Sequence, residues 1–92
     1  MPDEKEHFQR QILLQQVEIL LEDGNPKKLK ELLDEQRSSD IAEIVQLLDN
    51  DQRRVIFDVL ERAVSAEVLE KVDEATRAEL FQLLKEEGII GE

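Results

Sequence analysis

The sequence predicts an all-α fold, a short right-handed superhelix of stacked helical hairpins with about five to six helices. The composition is rich in Leu, Ile, Val and Ala and in Glu, Lys, Gln and Arg, a combination that is typical of helical proteins. Only three Gly and two Pro occur in 92 residues, too few for the turns of an all-β fold. Apolar residues recur at helical spacing, and a segment of the chain repeats after 24 residues.

The first two predicted helices are separated by a short polar break. The first runs over about residues 4–22, and Gly24 follows it, where a left-handed backbone is needed. Asn25 is expected to cap the second helix, with Pro26 at its first position. A proline is tolerated there because the backbone N–H that it lacks would have no partner within the helix. This helix is expected to end near Gln36.

Four further helices are expected to start at polar residues that precede apolar stripes. Ser39, Asp49, Ser65 and Asp73 are the predicted N-caps. Gln52 stands three residues after Asp49, in the spacing of a capping box.

The internal repeat places residues 41–60 on residues 65–84. Each copy reads as one hairpin, a short helix followed by a longer one. The repeated phenylalanines are expected in the core, and the repeated arginines are expected to pair with acids of the adjacent hairpin. Because each hairpin buries its apolar stripe against its neighbours, the last one is expected to need a further unit. The identical pairs are Ala42/Ala66, Glu43/Glu67, Asp49/Asp73, Arg53/Arg77 and Phe57/Phe81.

We expect a single domain over residues 1–92. Its parts are an N-terminal helix over 1–24 and hairpin units over 25–64 and 65–88, with Gly88 stopping the last helix. The tail after that glycine is expected to fray or to depend on a partner.

The charge and the residue types narrow the possible functions. A net charge of −11 disfavours nucleic acid and anionic membranes and favours cations or basic protein surfaces. The chain has no Cys and one histidine, His7, and its serines lack the partners of a catalytic triad. No apolar run is long enough to cross a bilayer. We therefore expect a protein that is not an enzyme.

The order of four short motifs resembles a known family. "LL-x-x-G", "DIAE", "AEVLE" and "RAELF-x-LL" occur in that order between Leu20 and Leu84. Together they resemble the cytoplasmic N-terminal domain of the MgtE family of magnesium channels and transporters. The flagellar motor protein FliG has a middle domain of similar helical build.

The resemblance implies a magnesium-sensing regulatory domain at the cytosolic face of the cell membrane. In that family, a pair of CBS domains and a dimeric transmembrane pore follow in the same chain, so this chain is expected to be a fragment of a longer membrane protein. Magnesium between the N and CBS domains neutralises their acidic surfaces and closes the pore.

The resemblance also marks one candidate ligand. The family places a magnesium-binding glutamate in the "AEVL" segment, where this chain has Glu67. Glu70 shares a helix face with it at i+3, and Glu43 is its copy in the earlier repeat. Mg²⁺ is expected to bind this chain only weakly, because the chain supplies the ligands on one side of the site and the other ligands lie outside it. The alternative interpretation of each acid is a solvated helix face.

A protein-interaction scaffold is the rival interpretation. In that interpretation one face of the helical array binds a partner protein, and the acidic residues only keep the domain soluble. The coding sequence downstream of Glu92 discriminates between them, since CBS-like and multi-span apolar segments indicate the transporter.

Overall fold

The computed structural model describes residues 2–86, with side chains over residues 9–86. In this part of the chain there are six α-helices and no strand, which confirms the all-α prediction. The expected stop at Gly88 and the tail after it lie outside the described residues, as does the side chain of His7. The helices are α1 (Pro2–Asp23), α2 (Pro26–Asp34), α3 (Ser38–Leu47), α4 (Asn50–Val59), α5 (Arg62–Lys71) and α6 (Glu74–Glu86).

The helices form two layers. Helices α1, α3 and α5 contact each other in that order, and α4 contacts both α2 and α6. Aliphatic side chains from all six helices fill the space between the layers; Val17, Leu29, Ile44, Val68 and Leu80 are almost completely buried. The result is two rows of stacked helices over residues 2–86, while the right-handed superhelix of hairpins remains a prediction.

The structure follows the 24-residue register. Helix α5 has ten residues, as α3 has, and its first residue, Arg62, lies 24 positions after Ser38. Helices α2, α4 and α6 also begin 24 positions apart, at Pro26, Asn50 and Glu74. A pair of consecutive helices is therefore the repeating unit of this part of the chain.

Three of the predicted caps are confirmed by their geometry, the first two at the starts of α2 and α4. Gly24 has a φ of +65°, and Asn25 accepts a hydrogen bond from the backbone N–H of Lys28 at 3.2 Å. Asp49 and Gln52 form a full capping box, with bonds of 2.8 and 3.0 Å.

Asp73 caps α6, as predicted. Its carboxylate accepts from the backbone N–H of Thr76 at 2.7 Å. The pKa of Asp73 lies below its ordinary value because the Thr76 side chain, and then the Thr76 backbone N–H, stabilise the ionised carboxylate.

The predicted caps at Ser39 and Ser65 are wrong. Helix α3 begins at Ser38 after Arg37, and α5 begins at Arg62 after Glu61; neither N-cap residue makes a side-chain cap bond. Ser65 lies inside α5. The first turn of α5 brings Val64 against the core, so burial of an apolar side chain outweighs the local preference of serine for a cap.

The prediction that both phenylalanines lie in the core is half right. Phe57 is 3% exposed, whereas Phe81 is 47% exposed. Helix α4 lies between two neighbouring helices of its layer, and the principal contacts of α6 are with α4 and α5 only. The same residue in the same register is therefore covered in one hairpin and uncovered in the next.

Candidate functional site

Glu67 lies on the exposed side of α5, at the edge of a groove between α2, α3 and α5. Its Oε1 accepts a hydrogen bond from the Ser38 hydroxyl at the start of α3. Asp34 and Glu61 line the same groove, which we call the Glu67 groove. The contacts of α5 with α3 and of α2 with α4 bring these carboxylates to one surface.

The acids of the Glu67 groove differ in their partners. Lys30 forms ion pairs with Asp34 at 3.0 Å and with Glu61 at 3.6 Å. The hydrogen bond that the Lys30 ammonium donates to Asp34 is the main reason why the pKa of Lys30 lies above its ordinary value, and the negative charges of Asp34 and Glu61 act in the same direction. Glu67 forms no ion pair with a Lys or Arg of residues 9–86, and its carboxylate accepts a hydrogen bond from the neutral hydroxyl of Ser38.

Glu43 lies in a different environment from its repeat copy. Its Oε1 is 2.6 Å from Nε of Arg10 on α1, and both side chains are half-buried. Arg10 and Glu43 line a separate groove between α1 and α3. The structure therefore does not bring Glu43 and Glu67 to one site.

Glu70 is exposed on α5, one turn after Glu67. Its backbone carbonyl accepts from Nη2 of Arg77 at 2.9 Å. No described hydrogen bond or ion pair involves its carboxylate.

The described side chains supply only part of a metal site. Within residues 9–86, no group of three or more His, Asp or Glu is arranged to hold a metal ion. Mg²⁺ prefers oxygen ligands, keeps several waters and is usually held by one or two carboxylates. The Glu67 carboxylate and the Ser38 hydroxyl are adjacent oxygen donors at an exposed surface, which fits one wall of such a site.

Sequence reasoning missed the three side chains that distinguish these acids. Ser38, Arg10 and Lys30 reach their partners through the packing of helices that are distant in the sequence. Spacing along the chain carries no signal for such contacts. Only the tertiary structure shows that one repeated glutamate is paired with a cation and that the other is not.

The fold and the composition define a helical-repeat domain of net negative charge, in which Arg37 lines the Glu67 groove together with its three acids. The family model of the MgtE intracellular N domain matches residues 36–90, which include the whole of α3 to α6. The match covers more than half of the chain, and the chain belongs to this family. No curated protein and no solved structure matches it in the further comparisons.

Family membership confirms the resemblance drawn from the four motifs. It indicates a regulatory domain of a magnesium transporter, from a family of intracellular transporter domains and not of enzymes. Among the helices of residues 2–86, none combines the length and the apolar character that a membrane span requires.

Proposed function

We propose that this chain is a cytosolic magnesium-sensing regulatory domain of a magnesium transporter or channel. Residues 1–92 would act as one MgtE N-type domain beside a following CBS-pair domain and a transmembrane pore domain of the same chain, in a homodimer at the cytosolic face of the membrane. The family match over residues 36–90 supports the class of function.

The position of Glu67 is the observation that carries the proposal. Its carboxylate is exposed, unpaired with any described cation and oriented by the hydroxyl of Ser38. A carboxylate held by one donor retains free lone pairs on both oxygens. Glu67 is thus prepared to accept a further ligand from outside the domain, whereas Glu43 is already neutralised by Arg10.

The negative charge of the domain explains how Mg²⁺ could control its contact with a neighbouring domain. Residues 40–92 carry a net charge of −8, so an acidic surface brought against this part of the chain is repelled. When bound, Mg²⁺ supplies the positive charge that neutralises this repulsion. Glu67 then contributes an oxygen ligand from this side of the interface, and the population shifts toward the arrangement in which the domains are closed.

A magnesium titration followed by ¹⁵N NMR tests the proposal on the 92-residue chain. We expect weak binding, on the order of millimolar, because one carboxylate and one hydroxyl leave most of the coordination to water. Chemical shift changes should centre on Glu67 and Ser38. A parallel titration with NaCl at equal ionic strength removes shifts that arise from screening.

Two variants assign the response to a residue. Glu67→Gln keeps the shape of the side chain and should abolish the shifts around Ser38. Glu43→Gln is the matched control at the same repeat position and should leave them unchanged. Sub-micromolar affinity would contradict a half-site, and the absence of any shift near Glu67 at tens of millimolar Mg²⁺ would remove Glu67 from the site.

A helical interaction scaffold without a metal role is the second candidate, like the FliG middle domain. Five large apolar side chains of residues 9–86 are exposed, and Ile19, Leu47 and Phe81 are the most exposed of them. Such residues favour contact with another protein. A coding sequence downstream of residue 92 with CBS-like and multi-span apolar segments would reject the scaffold, and a flagellar-type helical domain there would reject the sensor.

A further inference from the structure

The outer face of α1 differs from the other exposed helix surfaces because it carries no charge. Every exposed side chain of residues 9–19 is a glutamine or an isoleucine, in a chain in which 38% of the residues are charged. Residues 11–17 are the longest run of the sequence without a charged residue. The exposed side chains of α5, by contrast, include Arg62, Glu67 and Glu70. A neutral outer face on α1 therefore calls for an explanation other than solvation.

Two large apolar side chains lie on this face, seven residues apart. Ile12 is 39% exposed and Ile19 is 58% exposed, whereas Val17 between them is fully buried on the other side of the helix. Seven residues are about two turns of an α-helix, so the two isoleucines share one face, with Gln15 and Gln16 between them. The principal contacts of α1 are with α2 and α3, and these four side chains remain exposed in the described part of the chain. We call Ile12, Gln15, Gln16 and Ile19 the α1 stripe.

The chemistry of the α1 stripe is complementary to itself. The centres of protein interfaces are depleted of charged residues, as this stripe is. A glutamine amide carries both donors and an acceptor, so it can bond to a second glutamine, whereas a carboxylate repels its own copy. With a net charge of −11, two copies of this chain repel each other wherever their acidic surfaces meet. The α1 stripe is a surface on which two copies can meet without that repulsion.

We propose that two copies of this chain pair through their α1 stripes, with the two α1 helices antiparallel. The two-fold axis passes between Gln15 and Gln16, so that Ile12 of each copy packs against the partner's Ile19 and the glutamines bond across the axis. The occupant of the stripe is thus a second copy of the same chain. The stripe lies outside residues 36–90, the part of the chain that the family model matches.

The acids at the end of α1 select the antiparallel orientation. Glu22 and Asp23 are exposed in the turn that follows Ile19. In a parallel pair these two residues would lie beside their own copies, and four carboxylates would repel each other. In the antiparallel pair Glu22 lies beside the partner's Gln9, which is neutral, and the two helix dipoles run in opposite directions. Charge therefore favours one of the two ways in which the isoleucines can meet.

Sedimentation equilibrium of the 92-residue chain, from micromolar to millimolar concentration, tests the pairing. We expect a reversible dimer with a Kd on the order of 100 µM, because a contact along about three turns of one helix is small. Added NaCl should strengthen this dimer, since salt screens the repulsion between two chains of net charge −11 while the stripe itself holds no ion pair. A chain that stays monomeric at millimolar concentration would overturn the proposal, and so would a dimer that salt weakens.

Single substitutions assign the dimer to the α1 stripe. Ile12→Lys or Ile19→Glu should each weaken dimerisation by about tenfold or more, because an unpaired charge is placed in an apolar contact. Both positions are exposed in the single chain, so the urea midpoint of the monomer should change little. Leu47→Lys is the matched control, since Leu47 is 61% exposed on α3 and lies outside the stripe. Equal weakening by Leu47→Lys and Ile12→Lys would contradict the assignment.

The combination of Ile12→Lys with Ile19→Glu in one chain tests the orientation. In the antiparallel pair each new lysine faces a new glutamate of the other copy, so the double variant should dimerise more tightly than either single variant. In a parallel pair like charges would meet, and the double variant would dimerise no better than the single ones. That result would refute the antiparallel stripe. The pairing involves no magnesium, so its failure would leave the proposal for Glu67 intact.

Discussion

Replacing Arg53 with methionine should destabilise the protein by about 2 kcal/mol, because a buried hydrogen-bond donor is lost. The Arg53 side chain is 7% exposed. Its Nε donates to the carbonyl of Val45 at 2.9 Å, at the end of α3, and its Nη1 binds Glu79 on α6. Methionine keeps most of the volume of the stem but none of these donors.

The magnitude follows from the surroundings of each contact. A buried acceptor left without its partner costs about 1–3 kcal/mol, but the Val45 carbonyl keeps the N–H of Leu48 as a partner, so the lower half of that range applies. The ion pair adds at most about 1 kcal/mol, because Glu79 is 63% exposed.

Urea denaturation followed by far-UV circular dichroism measures this difference. Arg77→Met is the matched control, and its effect should be smaller because Arg77 is half-exposed and water can replace its bonds. Arg53→Lys should recover only part of the loss, since one ammonium group cannot reproduce the guanidinium fork. A loss below about 0.5 kcal/mol for Arg53→Met, which is typical of surface substitutions, would refute the reasoning. A larger loss for Arg77→Met would refute it as well.

Two further predictions concern the joints between helices. Gly24→Ala should destabilise the protein by about 1 kcal/mol, because a residue with a Cβ is strained at a φ of +65°, even though no atom lies within 4 Å of that Cβ. Gly24→Asn should destabilise it less, because asparagine adopts this conformation more readily. The urea midpoints of the wild type and the two variants measure both effects. Asp73→Ala should lower the urea midpoint by removing the bond to Thr76. Because folding lowers the pKa of Asp73 below 3.8, its contribution is complete above that pH and is lost as the pH falls through the folded pKa. The difference between wild type and Asp73→Ala should therefore shrink in acid, and a difference that grows there would contradict this sign.

The sequence alone determined the order of the helices, the period of the repeat and most of the joints. A glycine after α1, an asparagine before Pro26 and an aspartate before α4 act through bonds to residues three positions away, so local chemistry suffices to predict them. The predicted serine caps at positions 39 and 65 are wrong, and at position 65 the reason is tertiary, because α5 begins three residues earlier and packs Val64 against the core.

Tertiary structure alone decided what the repeated residues do. Glu43 and Glu67 occupy the same position of the repeat, but one meets Arg10 of α1 and the other meets Ser38 of α3. Phe57 and Phe81 differ for the same reason, since among residues 2–86 helix α4 has a following helix beside it in its layer and α6 has none. A repeat makes each unit alike in sequence, while the neighbours that each unit meets depend on its place in the stack.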